Sequence, residues 1–257
     1  MRVFLGHTFW VVFGRTVCAW LSILFGIVVL LGAAGNPNGE TRDFSGEARN
    51  PKSGELLYTE FHVRQINPDG SVDIETVYRN PAGTPFATRS VRLSTEGFLP
   101  TYHFRDARTG YEEGVRLREG SPVMFRKRPD RDGIEEKAIP DNGIIVADAG
   151  FDRLVELNWD RLMSGETVEA NMVVPSRLRT FRFKVVKVGE SEIDGDPVAT
   201  FRMVFSSPLL RLLAPKLLVS YHRDDHSIVA FDGKSSLEDP DGGNYSVNIR
   251  YQRKHVD

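Results

Sequence analysis

The side chains most suited to acid–base or metal chemistry cluster in the segment YHRDDH, residues 221–226. Two histidines four residues apart, with two carboxylates between them, are the residue types of a metal site or an acid–base pair. The residues on both sides alternate between apolar and polar, however, which is typical of two strands. Aspartates favour the turn between strands because their side chains hydrogen-bond to their own backbone. The pattern therefore favours a hairpin turn at residues 223–226 over a metal or catalytic site.

Two other charged segments contain residue types that could bind a ligand. In both, the pattern favours a turn. Residues 238–243 (EDPDGG) alternate oxygen ligands as calcium sites do, but they lack the spacing and the closing glutamate of a calcium loop. The basic run 125–131 (FRKRPDR) has the charge to contact anionic headgroups. Its neighbours Asp130 and Asp132 favour a solvated hairpin tip. The sequence thus predicts neither a metal site nor a cofactor.

The local motifs of several enzyme classes are also missing. The chain has no glycine-rich phosphate loop, no serine in a nucleophile elbow and no Cys/His set at zinc-ligand spacing. A non-enzymatic role is therefore the favoured interpretation. Dispersed carboxylates leave no local motif, so a hydrolase that uses Asp224 and Asp225 with His222 or His226 is kept as an alternative.

The N-terminal segment indicates where the protein works. Residues 16–31 carry no charge, follow Arg15 and run into the small residues of 32–35 (GAAG). A basic flank, an apolar run and a small-residue exit predict a signal peptide over residues 1–35 and a periplasmic or otherwise exported protein. Alternatively, residues 16–34 stay uncleaved as an inner-membrane anchor, because a spanning helix needs about 20 apolar residues. Cys18 is the only cysteine, so cleavage would leave no disulfide.

Acidic and basic residues are nearly balanced, with 33 Lys and Arg against 35 Asp and Glu. Cleavage after residue 35 would remove two arginines and no acid, which changes the formal net charge from −2 to −4. Neither value gives an electrostatic reason to bind nucleic acid. We therefore expect no nucleic-acid partner.

The remaining chain reads as a flexible lead-in over residues 36–54 and a single β-rich domain over 55–257. Between residues 57 and 64, Leu, Thr, Phe and Val alternate with Tyr, Glu, His and Arg, which predicts a strand with two different faces. The turn Asn-Pro-Asp-Gly at 67–70 then leads into a second alternating segment, which predicts a hairpin. Similar short segments continue to Tyr251. The fold class is mainly β, a large curved antiparallel sheet or open half-barrel.

Two segments depart from this alternation. Apolar residues at helical spacing predict an amphipathic helix at about 151–163, ended by Ser164 and Gly165. Ser207 and Pro208 are suited to begin a short leucine-rich helix at about 208–214, and Pro215 ends it. The first helix is expected to cover one face of the sheet. The second is apolar nearly all round, so it is expected either to be buried or to lie against another apolar surface.

Residues 149–183, beginning AGFDRLVELNWDRL, and 206–251, which contain SYHRDDHSIVAFDG, resemble an uncharacterised family of exported bacterial β-rich proteins, a domain of unknown function. The resemblance covers most of residues 55–252 and implies no assigned activity. More loosely, a leader followed by a curved antiparallel sheet with helices against it is similar in architecture to the Lol-type lipoprotein carriers. Those carriers hold acyl chains in an apolar cavity between sheet and helices. The likeness concerns architecture and does not establish function.

The favoured hypothesis is an exported cell-envelope protein that binds or carries an apolar, lipid-like ligand in a cavity between sheet and helices. The alternative is a structural or docking module for an envelope protein partner. If the cavity hypothesis holds, its lining is expected to include Phe151, Leu154, Trp159, Leu209, Leu212 and Leu213. The same residues would form an ordinary hydrophobic core in a docking module.

Overall fold

A computed structural model of the chain describes residues 40–207 and 217–253. The predicted signal peptide or anchor and the predicted helix at 208–214 lie outside the described residues. Within the described part of the chain, no helix is long and apolar enough to cross a membrane.

The described residues form one sheet of fifteen strands. In chain order these are β1 (Glu40–Arg49), β2 (Leu56–Ile66), β3 (Val72–Arg79), β4 (Pro85–Leu93), β5 (Thr101–Asp106), β6 (Tyr111–Arg118), β7 (Ser121–Lys127), β8 (Glu135–Ala138), β9 (Ile145–Val146), β10 (Val168–Val174), β11 (Arg179–Ile193), β12 (Asp196–Phe205), β13 (Leu217–His222), β14 (Ile228–Glu238) and β15 (Asn244–Arg253). Each strand is antiparallel to its neighbours, except that β9 runs parallel to β10. This large, open, curved antiparallel sheet confirms the predicted mainly β fold class.

The strand order places the beginning and the end of the described chain side by side in the middle of the sheet. Strands β1 to β8 follow one another outward to one edge, and β15 back to β9 follow one another to the other edge. The two halves join where β1 pairs with β15, from Phe44 opposite Arg253 to Arg49 opposite Asn248. The prediction of a flexible lead-in over 36–54 is therefore wrong for residues 40–49.

The physical reason for this error is the composition of β1, which is poor in large apolar residues. A central strand is held by backbone hydrogen bonds to two neighbours, and these need no particular side chain. Gly46 also helps β1 to fit at the centre of the sheet because it has no side chain. A Cβ at this position would lie 2.8 Å from the Tyr251 ring. The absent side chain leaves room for Tyr251 to lie over β1.

The hairpins form where the sequence predicts them. At residues 67–70 the Gly70 amide donates to the Asn67 carbonyl, and Gly70 has the positive φ of 79° that glycine tolerates best. The predicted helix at 151–163 is present as two short helices, α1 (Gly150–Leu157) and α2 (Trp159–Met163). They are separated at Asn158, whose side-chain amide donates to the Leu154 carbonyl.

The helices cover one end of the sheet's inner face. Leu154, Val155 and Leu162 are fully buried against Phe183 and Phe201 of the strands. Burying a side chain of this size is worth about 1.5–3 kcal/mol, so the packing holds α1 and α2 in place. A second buried cluster has its tyrosines and phenylalanines on β2 to β5 and extends to the central strands β1 and β15.

Curvature requires two strands to approach closely at Gly114 of β6. A Cβ built there would lie 1.9 Å from the Tyr102 carbonyl oxygen of β5, a distance that backbone atoms cannot accommodate. Gly189 of β11 provides a natural comparison, because a Cβ there would have no neighbour within 4 Å. Gly114 is thus needed for its small size, and Gly189 is not.

We expect Gly114→Ala to lower the free energy of unfolding by about 2–3 kcal/mol through the forced separation of β5 and β6. The matched control Gly189→Ala should be neutral or stabilising by up to about 1 kcal/mol, since it only reduces the freedom of the unfolded chain. Urea unfolding of both variants provides the measurement. Equal effects at the two positions would contradict this explanation of the curvature.

Candidate functional site

The inner face of the curved sheet lines a half-open cavity of about 870 Å³. This volume lies within the range of about 300–1,000 Å³ typical of small-molecule sites. Its walls come from strands of both halves of the sheet, from the start of α1 and from a single 3-10 turn at Pro175–Arg177. Aromatic rings make up much of the wall, namely Phe44, Tyr78, Tyr102, Phe104, Tyr111, Phe151, Phe205, Phe231 and Tyr251.

The wall also carries polar groups, because β2 turns its polar face inward. Tyr58, Glu60 and His62 are buried, whereas Val63 on the other face is 42% exposed. A curved sheet leaves room on its concave side, and charged side chains can occupy that side only with partners. Some partners come from β2 itself and from the neighbouring β3, and others come from β14 and β15, far away in sequence.

A hydrogen-bonded chain runs through the buried Glu60, His62 and Thr76. His62 Nε2 lies 3.1 Å from Glu60 Oε2, and His62 Nδ1 lies 3.0 Å from Thr76 Oγ1. The imidazole thus bridges the Glu60 carboxylate and the Thr76 hydroxyl through its two ring nitrogens. The Phe44 ring stacks on the imidazole at a centroid distance of 4.3 Å. The imidazole is therefore held in one orientation.

Tyr251 extends this network from the last strand. Its hydroxyl donates to Glu60 Oε2 at 3.2 Å, across the β1 position that Gly46 leaves open. Burial disfavours the ionised form of Glu60, but His62, Arg89 and Tyr251 together outweigh it and lower its pKa below the ordinary value. Glu60 is thus a buried carboxylate that stays ionised. Burial raises the pKa of Tyr251 itself, which stays a hydrogen-bond donor.

Arg89 and Asp148 form the main ion pair of the cavity, with 2.8 Å between Arg89 Nη1 and Asp148 Oδ2. Their side chains are 21% and 11% exposed, so the pair is largely withdrawn from bulk water. The guanidinium carbon of Arg89 also lies 5.8 Å from the centre of the Tyr78 ring. Arg89 is therefore engaged by an acid and an aromatic face of the protein itself.

Two carboxyl groups of the cavity have tyrosines as their hydrogen-bond donors. Tyr111 donates to Glu113 Oε2 at 2.7 Å, and Tyr221 donates to Asp152 Oδ1 at 2.6 Å. Burial raises the pKa of Glu113 to about 7, and nearby Asp148 adds to the effect. Asp152 keeps open surface inside the cavity, yet enclosure by the walls raises its pKa to about 6. Both carboxyls are therefore able to exchange protons near neutral pH.

The residues predicted to line a cavity occupy different places. Phe151 does line it, at the start of α1. Leu154 is fully buried beneath α1, where it packs against the strands and does not reach the cavity. Trp159 stacks on His226 with 3.9 Å between the ring centres. Leu209, Leu212 and Leu213 lie outside the described residues.

Two of the three charged segments named from the sequence form turns in the structure. The prediction of a solvated hairpin tip at 125–131 is wrong for Arg126 and Arg128, which line the cavity and pair with Glu135. Residues 223–225 make the turn between β13 and β14, and His222 and His226 lie at its two ends, away from the cavity wall. Asp239 accepts hydrogen bonds from the backbone amides of Asp241 and Gly243 in the turn before β15. The described residues contain no group of three or more His, Cys, Asp or Glu side chains that could hold a metal ion.

The polar groups of the cavity are absent from the sequence-based prediction of the site. The alternation in β2 places Glu60 and His62 on one face, but a single strand does not reveal which face points inward. One partner also lies far along the chain, since Tyr251 is separated from Glu60 by 191 residues. The only available sequence pattern was a polar strand face that combines an acid, a histidine and an aromatic residue.

We expect the free energy of unfolding to depend on pH because Glu113 is buried. Its ordinary pKa of 4.5 is raised to about 7, so the folded protein holds a proton that the unfolded chain has released between these values. Ionisation of Glu113 therefore destabilises the fold as the pH rises through this interval. Glu113→Gln keeps an acceptor for Tyr111 and removes the titration. The variant should gain on the order of 3 kcal/mol over the parent above about pH 8, and almost nothing at about pH 4.

Urea unfolding over a series of pH values tests this expectation. Glu156→Gln serves as the control, because Glu156 is an exposed carboxylate on α1. The difference in the free energy of unfolding between Glu156→Gln and the parent should not show the pH dependence expected for Glu113→Gln. If the difference in the free energy of unfolding between Glu113→Gln and the parent does not change with pH, the pKa of Glu113 is not raised in the folded protein.

No protein-family model matches the chain, and no curated protein matches it. A similar solved structure is that of a beta-barrel-like protein of a domain of unknown function, DUF1849, from Brucella abortus, with a TM-score of 0.41 and 11% sequence identity. The match covers 84% of this chain and 95% of that chain. The strand order by itself establishes the fold of the described residues as mainly β, built on one open, curved antiparallel sheet.

Proposed function

We propose that this protein is an exported cell-envelope protein that binds or carries a small lipid-like ligand inside its curved sheet. The observation that carries the proposal is the cavity of about 870 Å³, with its aromatic walls and built-in polar groups. A sheet with a purely structural role would gain stability by filling this space with side chains. The open volume is instead kept beside an ordered polar network.

Because the cavity wall has both apolar and charged groups, the proposed ligand is an amphiphile. Rings such as Phe104 and Phe231 offer apolar contact, and Arg89, Asp148 and Glu60 offer charge on the same wall. A purely apolar ligand would dehydrate the charged groups without replacing their hydrogen bonds to water, which is costly. A ligand with an apolar body and a polar head satisfies both parts of the wall.

The hydrolase alternative has less support. It requires Asp224 and Asp225 to converge with His222 or His226 in a pocket. These residues lie in the turn between β13 and β14 and contribute nothing to the lining of the cavity. Ligand binding needs no such convergence of catalytic groups.

Binding inside the cavity can be tested with the neutral fluorescent probe N-phenylnaphthylamine and protein freed of lipid. The double variant Met172→Trp, Met203→Trp fills the cavity from two strands that line it. We expect its affinity for the probe to fall at least about tenfold, since the probe would lose apolar contact area. The matched control is Val188→Trp on the outer surface, where Val188 is 54% exposed.

The control should bind the probe as the parent does, and thermal unfolding should show that all variants are folded. If filling prevents folding, Met203→Trp alone provides a milder version of the test. Lack of binding by the parent, or equal affinity of the filled and parent proteins, would overturn the proposal.

Export is testable through the N-terminal segment alone. Residues 1–35 fused to alkaline phosphatase that lacks its own leader should give an active enzyme, because this enzyme needs periplasmic disulfides. The control Ile23→Arg, Val28→Arg interrupts the apolar run and should abolish activity. An inactive fusion with the natural segment would contradict export, and sequencing the N-terminus of the mature protein separates cleavage from anchoring.

A further inference from the structure

Three arginines lie together in the cavity wall where β7 meets the 3-10 turn Pro175–Arg177, and we call this place the arginine corner. Arg126 is in β7 and Arg128 directly follows it, so the two point to the same face of the sheet. Arg126 Nη1 donates to the Ser176 carbonyl, and this bond fixes the turn that carries Arg177. All three arginines line the cavity.

The arginine corner has more cations than its ion pairs balance. Glu135 of β8 pairs with both Arg126 and Arg128, with 3.0 Å between nitrogen and oxygen in each pair. Arg177 is exposed, and its side chain forms no ion pair within the described part of the chain. One carboxylate thus serves two of the arginines, and the third has none.

Most other acids of the cavity wall are engaged elsewhere. Four of them are hydrogen-bonded to side chains outside the arginine corner, namely Glu60, Asp106, Asp148 and Asp152. These acids therefore have partners of their own, and the arginine corner keeps donors for a further acceptor.

The sequence already contains part of this corner. Arg126 and Arg128 belong to the basic run 125–131, whose charge suits anionic head groups. The fold adds Arg177 to them, although Arg126 and Ser176 are 50 residues apart in the sequence. The run thus acquires a third arginine and a place in the wall of a cavity.

We infer that the polar head of the ligand is an anion, a carboxylate or a phosphate group, bound by Arg128 and Arg177 at the arginine corner. The inference rests on the proposed function, because it assigns a head group to the ligand of the same cavity. A guanidinium group presents paired N–H donors in the geometry that carboxylate and phosphate oxygens accept. The apolar part of the ligand then packs on the aromatic wall.

Glu113 is the buried acid beside the arginine corner. It lies opposite Arg126 in the ladder of β6 and β7, and the amide of Ser176 donates to its carboxyl. Burial raises its pKa to about 7, and the negative charges of Asp148 and Glu238 add to this effect against the hydrogen bond from the Tyr111 hydroxyl. Its negative charge is therefore lost as the pH falls below neutrality.

This titration gives anion binding a pH dependence. Ionised Glu113 repels an anion at the corner, whereas the protonated carboxyl does not. An alkyl carboxylate itself stays ionised above about pH 5. We therefore expect its affinity to rise at least about threefold as the pH falls from about 8 to about 6. His62 also faces the cavity, so the assignment is tested by Glu113→Gln, in which this rise should be absent.

Displacement of N-phenylnaphthylamine by decanoate, decyl phosphate, decanol and decylamine tests the inference, because the four share one alkyl chain and differ in head group. At about pH 7 we expect the tighter of the two anions to bind at least about tenfold more tightly than decanol or decylamine. The tighter anion also identifies whether the site takes a carboxylate or a phosphate.

Substitutions at the corner locate the head group. Arg128→Gln and Arg177→Gln should each lower the affinity for that anion at least about fivefold and leave the affinity for decanol unchanged. Arg177 is exposed, so its substitution should not prevent folding. The matched control is Arg179→Gln, which removes the same charge from an exposed position of β11 outside the cavity wall and should keep the anion preference.

The outcomes separate this inference from the proposed function. Probe binding with equal displacement by all four compounds, or with decylamine preferred, would overturn the anionic head group and leave the binding cavity intact. An anion preference that survives both substitutions at the corner would overturn it as well. Absence of probe binding altogether would instead remove the proposed function, and the inference with it.

Discussion

The pairing of β1 with β15 is the interaction on which the rest of this structure depends. Without it, the described strands would form two separate groups, β1 to β8 and β9 to β15, each with an additional exposed edge. The ladder from Phe44 to Arg49 joins them through backbone hydrogen bonds, which require no special side chains. It also places Tyr251 beside Glu60, so the central seam of the sheet and the polar network of the cavity are formed by the same strands.

A second constraint follows from the curvature that this seam permits. A concave sheet face with space inside must either be filled with side chains or hold polar groups with partners. This protein combines the two solutions. Phe183 and Phe201 fill the end of the sheet beneath the helices, whereas Glu60, His62 and Arg89 surround open volume elsewhere. Ionisation of the buried Glu113 in this region costs stability, and such a cost is a common property of binding sites.

The local structure was largely predictable from the sequence, because it depends on neighbouring residues. Alternation in residues 57–64 and the turn at 67–70 indicate a hairpin, and apolar spacing over 151–163 indicates the helical segment. The location of β1 was not predictable in this way, since its few apolar residues resemble a loop. Contacts between residues far apart in the sequence were not predictable either. Arg89 and Asp148 are 59 residues apart, and no local pattern connects an arginine on one strand with an aspartate before a helix.

The meeting of the first and last strands also has a consequence for the time at which the fold can be completed. Synthesis proceeds from the N-terminus, so β1 leaves the ribosome long before β15 exists. Until then the central seam is open, and contacts between residues so distant in sequence form slowly. The sheet therefore cannot be completed before the last strand has been synthesised. If the protein is exported as proposed, this delay keeps the chain compatible with crossing a membrane in an extended form.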